Sequence, residues 1–292
     1  MHRLLVVTLF VIALAPGRTA PVDVFIFSGQ SNMVGSPKVA DLTDEQRAPI
    51  PQARYWNGKS FESYVPGKTV TSATVLRFGP ELAFARCYPD ATPERPMYLI
   101  KYALGGRPLH WGWDHGKWIG GDPAPGRGNF YPGETKDDPN QGLLYQNLLK
   151  TVLPALAHLK ASGIDYRVRG VLWMQGEADA KHAVSAATYA PCLQQWHERL
   201  LEDVGAGPCP LVYGQVLPYS PPAARFTHRD ELRQAQANLD HGSGHVDAYS
   251  MAVMVPTEGM GLANDTVHYD AGGQLALGRA FAAAMTKANA LP

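Results

Sequence analysis

Short apolar runs alternate along this chain with longer stretches of helical period, and that alternation constrains the fold more than any other feature. The runs are Val22–Ser28, Met97–Leu104, Val168–Met174, Leu211–Val216 and a weaker Val246–Met254. Continuous apolar segments of this length read as strands covered on both faces. Between them lie Pro80–Tyr88, Leu143–Leu159, Tyr189–Val204, Asp230–Leu239 and Ala271–Ala288. Leu144, Leu148, Leu149, Val152, Leu156 and Leu159 fall at three- and four-residue spacing, and Asp270 stands where the last helix needs an N-cap. Repeated strand–helix alternation predicts an α/β protein: a three-layer α/β/α sandwich around a central, mostly parallel five-stranded sheet. The chain of 292 residues is long enough for one large domain, expected over residues 21–292.

Lys plus Arg and Asp plus Glu are balanced at 26 each. A balance of that kind argues against nucleic acid as a partner and against a basic membrane-surface mode. The first residues have a separate character. Met1-His2-Arg3 is basic, Leu4–Ala15 is apolar, and Pro16-Gly17 would break a helix. This is the layout of a signal peptide over residues 1–20, too short for a stable membrane span, so export to a periplasmic or extracellular space is expected. Cys87, Cys192 and Cys209 are either unpaired small hydrophobes or include a Cys192–Cys209 bridge, with Cys87 buried in its helix. No Cys-x-x-Cys occurs, and the His241/His245 pair lacks a third ligand, so neither a metal nor another cofactor is expected.

The chemistry gathers where strands are predicted to end. Val24-Phe25-Ile26-Phe27 runs directly into Gly29-Gln30-Ser31-Asn32-Met33, which delivers a hydroxyl to the carboxyl edge of the sheet, where open α/β sheets build their sites. Such a Ser needs a base and an acid that orients it, and Asp265-x-x-His268 supplies both in the last loop before the final helix. Gly105-Gly106 ends the second predicted strand and Gln175-Gly176-Glu177 the third. The backbone N–H groups of Ser31 and Gly105 and the Gln175 side-chain amide are therefore expected to form an oxyanion hole. Residues 105–140 are too long and too rich in Gly, Pro and Trp for a routine connection. Trp111 and Trp113, near Arg107, either form a substrate rim or pack the loop onto the body. Residues 36–75 read as a second irregular stretch.

Taken together, Phe27-Ser28-Gly29-Gln30-Ser31-Asn32-Met33, Leu104-Gly105-Gly106, Leu172–Asp179 and Asp265-x-x-His268 resemble the successive blocks of the SGNH-type carbohydrate esterases. The branch is that of sialate O-acetylesterases and acetylxylan esterases (carbohydrate esterase family 6). The resemblance implies the flavodoxin-like sandwich of SGNH hydrolases and a serine esterase removing O-acetyl groups from an acetylated oligo- or polysaccharide. It makes Ser31 the nucleophile, His268 the base and Asp265 its orienter, with Ser31, Gly105 and Gln175 as the oxyanion hole. Glu177 is a second acid or a support of the site. Arg107 departs from the hydroxyl residue common after Gly-Gly, which bears on the sugar more than on the reaction. Two rival readings remain: an SGNH lipase or thioesterase acting on longer acyl esters, and a catalytically silent carbohydrate-binding protein.

Overall fold

The computed structural model describes residues 20–71, 74–219 and 224–290. The expected signal peptide therefore lies outside the described residues, apart from Ala20. The strands are β1 (Val22–Gly29), β2 (Ile50–Trp56), β3 (Phe61–Tyr64), β4 (Met97–Ala103), β5 (Trp113–Asp114), β6 (Lys117–Trp118), β7 (Tyr166–Met174), β8 (Leu211–Gly214) and β9 (Ala252–Val255). The helices are α1 (Ser31–Val34), α2 (Asp44–Arg47), α3 (Glu81–Cys87), α4 (Leu143–Ala161), α5 (Ala183–Ala187), α6 (Tyr189–Val204), α7 (Arg229–Leu239) and α8 (Ala271–Ala288).

One seven-stranded sheet runs in the order β3-β2-β4-β1-β7-β8-β9, and only β3 is antiparallel to its neighbour. Its β4-β1-β7-β8-β9 portion comprises the five expected strands, in the flavodoxin-like order that reverses direction at β1. The sheet is wider than the sequence reading because β2 and β3 extend one edge from within the stretch taken as irregular. The two strands carry Pro51 and Arg54 in β2 and Glu62 in the edge strand β3, polar and turn residues that hide a strand from an apolar count. The last strand is also shorter than expected, since Val246 is 91% exposed and pairing begins only at Ala252.

Val24, Phe25, Ile26 and Phe27 of β1 are all fully buried, which explains their continuous apolar run. Phe25 and Phe27 turn to one face and meet Phe84 of α3 edge-on, with centroids 4.9 and 5.2 Å apart. On the opposite face Trp173 of β7 packs on Trp196 of α6 at 4.2 Å. At the start of α8, Asp270 accepts a hydrogen bond from Gly273 N at 2.7 Å, as its N-cap position requires. Cys192 and Cys209 are buried free thiols whose ionisation burial pushes up to about 12, while Cys87, expected inside, ends α3 exposed. Among the described residues no helix is long and apolar enough to cross a membrane.

His197 on α6 is buried and its Nδ1 lies 3.0 Å from the Tyr249 hydroxyl. Burial lowers its pKa to about 3. The unfolded chain, titrating near about 6.5, binds the proton first as pH falls. Stability contributed by neutral His197 is therefore complete above about pH 6.5 and drains away towards pH 3. Chemical denaturation between pH 7 and 4 should show this loss, and His197→Gln should flatten the curve. An equally steep curve in the variant would remove His197 as its cause.

Candidate active site

The geometry of the site begins at Gly29. Its φ of 143° lies outside the range of ordinary side chains, and a Cβ there would stand 2.1 Å from the Met174 carbonyl oxygen. This close approach lets Gln30 N donate to Met174 O at 2.9 Å while the chain turns out of the sheet into α1. Ser31 is the first residue of that single helical turn, so its N–H has no helical acceptor. Beside it, Leu104 N donates to Gly29 O at 3.1 Å, and the chain leaves β4 at Gly105. The Gly105 Cα carries nothing towards Ser31: even an added Cβ would lie 3.6 Å from the Ser31 Cβ.

From the far end of the chain, the loop before α8 brings the remaining members. His268 Nε2 lies 2.9 Å from Ser31 Oγ, and His268 Nδ1 lies 2.5 Å from Asp265 Oδ2. Asp265 Oδ1 accepts from Val267 N at 3.0 Å and His268 N at 2.9 Å, winding the loop around its carboxylate. Partial burial would raise the Asp265 pKa, but the backbone N–H and ring of His268 together with Val267 N–H outweigh it and hold the pKa at about 2. Thr266 at the turn has φ 58°, a left-handed conformation that a β-branched residue rarely adopts, so the Asp265–His268 turn is held under strain.

Asn32 anchors this loop, and the sequence reading passed over it. Its Nδ2 donates to Val267 O at 3.0 Å and Glu177 Oε1 at 2.8 Å, and its Oδ1 accepts from Tyr269 N at 3.1 Å. Gln274 Nε2 of α8 donates to the Asn32 carbonyl at 2.7 Å. The signal was present in its place beside Ser31, yet nothing in an Asn at that position announces bonds to residues more than two hundred positions away. Glu177 lines the Ser31 pocket but is 2% exposed, bonded to Asn32, and its Oε2 has no partner among the described residues. Burial raises its pKa, opposed by the Asn32 bond and the nearby His268.

Gln175 is placed differently from its expected part in the oxyanion hole. It is fully buried, and its Nε2 donates to Arg107 O at 3.0 Å and to Asp179 Oδ2 at 2.5 Å. An amide has two N–H groups, so none remains for a reacting oxygen. Asp179, also missed in the sequence, accepts in addition from Leu109 N at 2.9 Å, His110 N at 3.2 Å and Ser185 Oγ at 2.5 Å. Gln175 and Asp179 thus hold the Gly105–His110 segment against β7. Gln175→Ala is expected to lower kcat about 10–100-fold through displacement of Gly105, and to lower Tm as well. A loss of activity with unchanged Tm would instead favour direct contact with substrate.

The expected rim is only partly present. Trp113 is buried and donates from Nε1 to Ser185 Oγ at 2.9 Å, so it packs the loop onto the body. Trp111 stacks on His110 at 3.9 Å and bonds to Gly121 O at 3.2 Å. Neither Trp lines the pocket, and nor does Arg107, which is half-buried and near Tyr102. The pocket, about 290 Å³, is instead bordered by Ser31, Gly105, Glu177 and His268 with Lys181, Arg225 and Phe226. Both cations lie over the Phe226 ring, Arg225 Cζ at 4.9 Å and Lys181 Nζ at 5.9 Å from its centroid. Neither forms an ion pair among the described residues.

Comparisons with known proteins bear on the fold and the family. Solved structures with a similar fold include a protein of Arabidopsis thaliana, with a TM-score of 0.65 and 20% identity over 92% of this chain and 99% of that one. NanS gives a TM-score of 0.60 at 15% identity, covering 91% of this chain and 97% of its own. XAC1771, a carbohydrate acetylesterase of Xanthomonas citri, gives 0.55 at 17% identity over 90% of this chain, which spans 55% of that protein. A search of curated proteins gives no significant match. The family profile described as "carbohydrate esterase, sialic acid-specific acetylesterase" matches residues 21–287, nearly the whole domain just described. With that span matched, the chain belongs to this family of carbohydrate acetylesterases.

Proposed function

We propose that the protein is a serine esterase that removes O-acetyl groups from a sugar through an acyl-enzyme. The observation that carries this reading is the continuous chain of contacts Asp265–His268–Ser31, at 2.5 and 2.9 Å. His268 Nε2 takes the Ser31 hydroxyl proton as Oγ attacks the acetyl carbonyl, and Asp265 stabilises the imidazolium that results. The N–H groups of Ser31 and Gly105 receive the oxyanion, while Gln175 positions Gly105 from behind. His268 then protonates the departing sugar oxygen, and in the second half activates the water that releases acetate.

Lys181 and Arg225 on the pocket border support an acidic acetylated sugar of the sialic acid type over neutral acetylxylan. The charged border of the catalytic pocket speaks against the longer-acyl esterase reading. We further place the enzyme outside the cytoplasm, on the basic and apolar pattern at its start. Acetate release from O-acetylated sialic acid, acetylated xylan and a series of p-nitrophenyl esters tests the reading. Greatest kcat/KM on the acidic sugar is expected. A preference for long acyl chains, or glycan binding with no release at all, would overturn it.

A further inference from the structure

Gly105 stands between the catalytic pocket and a second and larger cavity, of about 520 Å³. The catalytic pocket lies on the β7 side of β1, bordered by Glu177 and Phe226; the second lies on the β4 and β2 side. Gly105 borders both, so the two adjoin along the carboxyl edge of the sheet, with the reacting hydroxyl in the catalytic lobe. The volume falls within the ~300–1,000 Å³ of small-molecule clefts. None of Ser31, His268 or Asp265 borders the second lobe, so the chemistry leaves it unexplained.

Its walls mix apolar surface with fixed polar groups. Val70 and Leu104 are exposed into solvent, and the Trp56 and Tyr102 rings stand at the ends of β2 and β4. Asn57, Thr71 and Thr151 interrupt the apolar surface, each already bonded within the chain, to Glu62, Tyr64 and Asn147 respectively. Lys101 also borders the lobe, with its side chain only 3% exposed. Its Nζ donates to Val34 O at 3.0 Å and Glu81 Oε2 at 2.7 Å. An ammonium carries three N–H groups, so one donor remains after these two bonds. Glu81 is fully buried and cancels the charge of Lys101, so the lobe offers a donor without a net positive field. Burying a pair of this kind is costly and does nothing for the triad.

We infer that this lobe is a saccharide subsite that takes a neutral sugar unit joined to the acetylated one, an inference resting on the deacetylase reading of the Ser31 pocket. A pyranose matches both properties of the walls: its C–H faces suit Leu104, Val70 and the rings, and a hydroxyl suits the spare Lys101 donor. An acyl chain would leave the third Lys101 donor unpaired. An anionic unit would gain nothing from a lysine already neutralised by Glu81. The two lobes therefore assign opposite characters to the two sugars, acidic at Lys181 and Arg225 and neutral beyond Gly105. The best substrate is an acetylated sugar still attached to its glycan.

Binding to the full-length Ser31→Ala protein by calorimetry separates this inference from catalysis. The probes are N-acetylneuraminic acid against 3′-sialyllactose, and xylose against xylotetraose. In whichever series binds better, the oligosaccharide should bind at least about tenfold more tightly than the monosaccharide. Val70, 51% exposed, tolerates replacement without loss of core. Val70→Trp, which fills the lobe, should abolish that gain, and Val70→Ala should retain it. No gain in either series, or a gain that survives Val70→Trp, overturns the subsite. Long acyl esters whose turnover by the Ser31-containing protein is lost in Val70→Trp would overturn it in favour of an acyl groove. The two readings fail separately. Turnover of short acetyl esters without an oligosaccharide gain removes the subsite alone; the gain without any ester turnover removes the esterase alone.

Discussion

Replacing Ser31 by Ala should lower kcat on a short acetyl ester by about 10⁵–10⁶-fold while leaving the fold intact. The side chain is half-exposed, and its hydroxyl meets only the His268 ring among the described side chains, so its removal opens no cavity in the core. What it removes is the atom that forms the covalent bond. His268→Ala should cost nearly as much, because without a base the Ser31 hydroxyl remains protonated and a poor nucleophile. The double variant should be little worse than either alone, since residues acting as one unit are strongly non-additive. Steady-state kinetics with circular dichroism and thermal melts on all three proteins check this. A Ser31→Ala protein retaining a tenth of wild-type kcat would place the nucleophile elsewhere.

The parts of this molecule legible in the sequence are those whose physics is local. An apolar run buried on both faces looks the same wherever it occurs, so β1, β4, β7 and β8 were readable from residue types alone. A Gly that must turn a strand towards a Ser was readable too, and the structure supplies its reason in the Met174 carbonyl that lies against Gly29. The two strands at the far side of the sheet were not, because β2 and the edge strand β3 carry charges and a proline that break an apolar run. The same division runs through the site. Ser31, Asp265 and His268 have chemistry that announces itself, whereas Asn32 and Asp179 act through bonds to backbone groups far along the chain. Gln175 illustrates the boundary most sharply: its position at a strand end was readable, but the direction of its amide depends on Asp179 and the Arg107 carbonyl. Trp113 was ambiguous for a similar reason, since only the location of Ser185 decides that it faces inward.

Asp265→Asn should lower kcat by about 10⁴-fold, and Glu177→Gln by less than about tenfold. Both acids stand near His268, so the difference rests on which atom each one meets. Asp265 Oδ2 lies 2.5 Å from Nδ1, the nitrogen whose proton must be held while Nε2 faces Ser31. An Asn amide there can present N–H to Nδ1 and select the wrong tautomer, leaving a protonated Nε2 towards the nucleophile. Glu177 instead bonds to Asn32, and its burial favours the neutral form that Gln imitates. Its replacement should disturb the Asn32 clamp slightly and the charge on His268 little. An acid limb in stability provides an independent check. The Asp265 pKa of about 2 lies below the usual ~3.9 of an unfolded chain, so its stabilising contribution is full above about pH 4 and lost as pH falls through about 2. Because the Asp265 side chain is 46% exposed, that contribution is small, and solvent screening weakens it further. Asp265→Asn should therefore remove a shallow part of the acid limb and nearly all of the turnover. The opposite ranking of the two variants in kcat would make Glu177 the acid that His268 depends on, and the Asp265 contact a feature of loop folding alone.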